Sequence, residues 1–103
     1  MSATEATPQG VLLALVRRIK ESAIDASRSG IREATALGLE ADRLIRPLLQ
    51  LPDPALLSGL DSVAKGLRFG LTRITDEAAR GWFAELIESA IMFVRRLLGG
   101  FVK

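Results

Sequence analysis

Glu85 and Glu88 stand three residues apart in "WFAELIESA", a spacing that puts both carboxylates on one side of a helix. Paired carboxylates are what general acid–base work or a hard metal ion would require. Asp76 and Glu77 in "ITDEAA" form a second acidic pair, at the start of the same segment. Neither pair has the company such chemistry needs. The chain contains no His and no Cys. That removes the usual proton carrier at neutral pH, the Glu-x-x-His pairs of carboxylate bundles, and every thiolate ligand or nucleophile. "GLRFGL" lacks the preceding strand and the Lys-Ser ending of a phosphate loop. The acidic residues read as solvated helix charges, and no enzyme activity, catalytic residue, metal or cofactor is expected.

The basic residues are more suggestive. Arg17–Arg18 and Arg95–Arg96 are paired, and eleven of the fourteen basic residues are Arg. Yet the formal net charge is only +2, and acidic residues follow the basic ones throughout. Asp42 with Arg46 and Arg17 with Glu21 are spaced for intrahelical pairs. No long basic stripe of the kind that phosphate neutralisation requires can be assembled, so a nucleic-acid partner is not expected. Arg17–Arg18 and Arg95–Arg96 would make a patch only if the two helix ends meet; beside apolar residues it would suit an anionic membrane surface.

Apolar surplus is the strongest compositional signal. Hydrophobic residues make up 49% of the 103 positions and mean hydropathy is +0.26, high for a small domain that must cover itself with polar groups. Such surplus ends in an oligomer interface, a partner's groove or a lipid surface. Arg17–Arg18, Arg46–Pro47, Glu85, Glu88 and Arg95–Arg96 interrupt every candidate membrane span. "MSATEATPQG" lacks a basic leader, which leaves a cytoplasmic location, with membrane-peripheral attachment as its variant.

Three helices are expected to position these residues, in an all-α bundle. Residues 1–7 read as a flexible tail and 8–103 as one helical domain. Thr7-Pro8 is a cap followed by a first-turn proline. From there, apolar or small residues recur in steps of three and four from Leu12 to Leu48. That rhythm predicts one long helix from Pro8 to Ile45, about 55 Å at 1.5 Å per residue. Gly30 and Gly38 are its alternative break points, either of which would give four helices. The prolines of "RPLLQLPDP" end it. A second helix starts at Asp53-Pro54 and runs to about Gly70, with Leu56, Leu60, Val63, Leu67 and Leu71 on one face. Thr75 is the expected cap of a third, with Asp76 and Glu77 in its first turn and Arg95 and Arg96 in its last, signs that complement the helix dipole.

Two ridges of small residues stand out at four-residue spacing: Ser22, Ala26, Gly30, Ala34 and Gly38, then Ser58, Ser62, Gly66 and Gly70. Each glycine costs about 1 kcal/mol against alanine inside a helix, so close approach of another helix is the expected reason for them. The mate is the other ridge or a second copy of the chain.

Within the second ridge, "GLDSV" (residues 59–63) resembles the Asp-Ser-hydrophobic motif at which acyl and peptidyl carrier proteins take their phosphopantetheine arm. The resemblance covers five residues. It implies a four-helix domain with Ser62 at a helix start as the modified residue and Asp61 as its neighbour. "AKGLRFG", which follows, is basic and glycine-rich where carriers present an acidic helix, and the Pro52–Pro54 boundary puts Ser62 in mid-helix.

The third helix is apolar around well over half its circumference. One neighbour needs a stripe of only about 100°, so this helix must meet two surfaces. It is either the bundle's central helix or one with an outer face for a partner or bilayer, anchored by Trp82, Phe83 and Phe93 and flanked by Arg95 and Arg96. Composition and pattern together point to a non-enzymatic interaction or assembly module, self-associating or binding a helical protein through apolar faces. The alternative is a peripheral protein of lipid surfaces.

Overall fold

The computed structural model describes residues 7–99, so all of the expected tail except Thr7 lies outside the described residues. The described chain is all-α, as the sequence implies, but it has four helices rather than three. They are α1 (Pro8–Arg28), α2 (Glu33–Ile45), α3 (Asp53–Leu71) and α4 (Glu77–Gly99), with a 3-10 segment (Arg46–Gln50) between α2 and α3. The single helix expected over 8–45 is broken at Gly30.

Gly30 has φ +96°, in the left-handed region that favours glycine. Its N–H donates to the carbonyl of Ser27 at 3.0 Å, and the N–H of Ile31 donates to that of Ala26 at 2.9 Å. These two bonds form a Schellman motif, and Ile31 and Ala26 are both packed against the edge of the core. The reversal has a packing reason. A helix of ten turns would leave half its apolar stripe uncovered by partners of about twenty residues. Folded back, Leu12, Leu15, Val16, Ile19 and Ala23 of α1 and Ala34, Leu37, Ala41 and Ile45 of α2 join one core.

The other helix ends combine expected and unexpected devices. Thr7 accepts a bond from the Gly10 N–H at 3.0 Å, with Pro8 in the first turn. At α4 the cap is Asp76, one residue later than expected: its carboxylate accepts from the Ala79 N–H at 2.8 Å. Thr75 instead donates its hydroxyl proton to Glu33 at 3.3 Å, linking the starts of α4 and α2. Asp53 lies inside the first turn of α3 and makes no capping bond.

The helices form a ring, each packed on two neighbours: α1 on α2 and α4, and α3 on α2 and α4. Neighbours run antiparallel. Arg68 faces Glu88 while Asp61 faces Arg95, and Leu44 lies over Gly66 while Leu37 lies over Gly70. Every core position is filled by an aliphatic side chain except Phe83, and among the described residues no polar or charged side chain is buried. Ile74, in the link before α4, is fully buried and plugs one end of the ring. Leu48, in the 3-10 segment, packs over Gly59.

Candidate interaction surface

The two small-residue ridges occupy different surroundings. In the first, Gly38 alone marks a close backbone approach: a Cβ there would stand 3.5 Å from the Cα of Lys20 and from the Cβ of Ala23. Ala34 of the same ridge is fully buried in the core. Ser22 and Ala26 point the other way, lining a shallow depression of about 230 Å³ against Ala79, Trp82 and Phe83 of α4. Gly30 is exposed, and a Cβ added there would meet no atom within 4 Å, so its role is conformational. In the second ridge, Gly66 and Gly70 receive leucines of α2, while Ser58 and Ser62 are exposed. The ridges therefore do not pack on each other. Glycine on one helix meets leucine on the next.

Ser62 lies in mid-helix, and its neighbour Asp61 accepts a bond from Arg95 at 2.7 Å. That is not the helix-start geometry the carrier resemblance implies.

α4 is a wall of the ring rather than its central strut. Phe83, Ile87, Ile91, Val94 and Leu98 face the core. Of the three expected aromatic anchors, Phe83 is thus a core residue at 2% exposure, with the Trp82 ring set edge-on to it at 5.2 Å. Trp82 and Phe93 are 45% and 48% exposed. Met92, not among the expected anchors, is 53% exposed. Its signal lies in the spacing: Ala78, Trp82, Glu85, Ser89, Met92 and Arg96 are four, three, four, three and four apart, the outward complement of the core stripe. All six are exposed.

Charges beside this seam divide sharply. On the α3 side, Arg68 grips Glu88 with two bonds of 2.7 and 3.0 Å, and Arg95 bonds Asp61. The Arg68 guanidinium holds the Glu88 carboxyl below the usual range for glutamate. On the seam itself, Glu85 and Arg96 have no ion-pair partner among the described residues. On the α1 side, Arg18 and Phe93 line an apolar groove of about 420 Å³ floored by small residues such as Ala14 and Ala90. Arg18, at the middle of α1, is thus set beside the stretch of α4 from Leu86 to Phe93 and not beside its last turn, so the two arginine pairs do not meet at one end of the bundle.

A second groove, of about 350 Å³, lies between α2 and α3. Leu39 and Phe69, both 65% exposed, stand at its edges. Its charges are engaged: Arg43 bonds Glu40 at 2.6 Å, and Arg73 lies 5.5 Å from the centre of the Phe69 ring. Next to it, Asp42 accepts from Lys20 at 2.7 Å and from Arg46 at 2.8 Å, and these two cations lower its pKa. Arg46 is the partner the sequence spacing indicated; Arg17 and Glu21 form no such pair.

No group of three or more acidic side chains comes together among the described residues, and Glu85 and Glu88 diverge to solvent and to Arg68. No helix of the described residues is long and apolar enough to cross a membrane. Comparison with protein-family models, with curated proteins and with solved structures gives no match for this chain.

Proposed function

We propose that this protein is a non-enzymatic assembly module that joins a second helical protein surface through the outward side of α4. One observation carries the reading: Trp82, Met92 and Phe93 are left half in water by a helix whose other residues already close the core. Large aromatic anchors surrounded by small residues are what well-packed protein contacts use. A cysteine-free chain suits a reducing, cytoplasmic setting.

The test is the mass of the purified chain by light scattering behind a sizing column, without detergent. A discrete dimer or larger assembly supports the reading. A second reading rests on Arg18 beside Phe93, with Arg96 in the next turn of α4: cation and aromatic together suit an anionic lipid surface. A monomer that binds phosphatidylserine vesicles, less tightly as salt rises, would replace the first reading with this one.

A further inference from the structure

We infer that α4 pairs with α4 of a second copy of this chain, antiparallel, across a two-fold axis at Ser89. This rests on the assembly reading above and specifies its partner and geometry. Ala78, Trp82, Glu85, Ser89, Met92 and Arg96 lie along one exposed face of α4 in steps of three and four, a line on which a second helix can rest. Ser89, small and central, is where two such helices can approach most closely.

Charge sets the direction. Glu85 lies in the first half of the seam and Arg96 at its end, and neither is neutralised within the described bundle, while their neighbours Glu88 and Arg95 are. In a parallel pair, Glu85 would face Glu85 of the partner subunit and Arg96 would face Arg96 of the partner subunit. In an antiparallel pair centred on Ser89, Glu85 comes within about one helical turn, ~5.4 Å along the axis, of Arg96 of the partner subunit. Trp82 then lies opposite that same arginine, which gives it a cation for the face of its ring. A two-fold contact makes each of these interactions twice. Phe93 and Met92 fill the seam between them and lose their exposure.

The chain has no cysteine, so a single engineered thiol reports the geometry directly. Under mild oxidation Ser89→Cys is expected to give a disulfide-linked species of twice the 11.1 kDa mass. Ala78→Cys is expected to give none, because antiparallel pairing holds its two copies about 33 Å apart at 1.5 Å per residue, far beyond disulfide reach. Glu85→Arg and Arg96→Glu should each lose the dimer alone and regain it when mixed, with helical content unchanged throughout. Cross-linking at both cysteines would mean parallel pairing and overturn the proposal. A dimer by mass that cross-links at neither would place the contact on another face, overturning this geometry while leaving the assembly function standing. A monomer by mass would overturn this pairing, and binding of that monomer to phosphatidylserine vesicles would overturn the assembly reading with it.

Discussion

The two hairpins of the ring, α1–α2 and α3–α4, solve the same packing problem differently. The first is closed where Gly38 meets Ala23 and the backbone of Lys20, and it turns on a left-handed glycine. Its central carboxylate, Asp42, is shared by two cations of the same hairpin and its 3-10 extension. The second is filled by Leu, Ile and Phe, and its two interhelix ion pairs lie on one flank of α4. That leaves Glu85, Arg96 and three large apolar side chains on the outward flank. The glycine-rich segment, which looks built for assembly, is used up inside the monomer. The aromatic-rich helix, which looks like a core strut, holds the surplus surface.

Exposure by itself does not make this distinction. Phe69 is more exposed than Phe93, but Arg73 stands 5.5 Å from the centre of its ring and Arg43 beside it is engaged with Glu40. Beside Trp82 and Met92, by contrast, Glu85 and Arg96 have no ion-pair partner among the described residues.

Aspartate substitutions put the contrast between the hairpins under the greatest load. Phe83→Asp buries a carboxylate among aliphatic side chains and removes the largest core residue; a loss of at least ~3–5 kcal/mol, enough to abolish the cooperative thermal transition, is expected. Phe93→Asp should keep the cooperative transition but lose the assembly, seen as a halved mass and a melting temperature that no longer rises with protein concentration. Phe69→Asp should change neither. If Phe93→Asp unfolds the protein, α4 has no free flank and the contrast fails.

The two glycines of the first hairpin should respond with opposite signs. Gly30→Ala forces a side chain into a left-handed conformation and should cost about 1–2 kcal/mol, a fall of several degrees in melting temperature. Gly38→Ala places its methyl at ordinary contact distance and removes a helix glycine, so a gain of up to ~1 kcal/mol is expected. Gly38→Leu should instead lose about 1–3 kcal/mol through overpacking against α1. Equal effects at Gly30 and Gly38 would show that both serve one continuous ridge.

The smallest effect concerns the Arg68–Glu88 pair. The folded-state pKa of Glu88 is depressed, so its contribution is fully present above its unfolded value, near 4.5, and fades as pH falls through the lower folded value. Melting temperature should therefore fall slightly more steeply with acid in the parent chain than in Glu88→Gln, and salt should narrow the difference because the pair is exposed. Identical acid profiles would show that the pair contributes nothing to the second hairpin.

Much of the architecture is legible in the residues. Three-four periodicity establishes helices, Pro47, Pro52 and Pro54 mark the middle boundary, and the Leu56–Leu71 stripe is the core face of α3. Missing His and Cys narrow the chemistry before any fold is known. The reversal at Gly30 is not legible in the same way. The connection between α1 and α2 is so short that the apolar rhythm resumes in phase at Ala34, and periodicity alone reports no change of direction. Ser-Gly-Ile offers a cap, but whether it is used depends on what could cover the stripe if the helix continued. The division of α4 into Phe83 inside and Phe93 outside has the same origin. Spacing along the helix sets Phe83 and Phe93 on different flanks, but which flank ends up buried depends on where the neighbouring helices cover it. Residue type set the local conformations and the apolar surplus. Only the closing of four helices into a ring decided which flank of that surplus stays in water, because burial belongs to pairs of surfaces and not to single sequences.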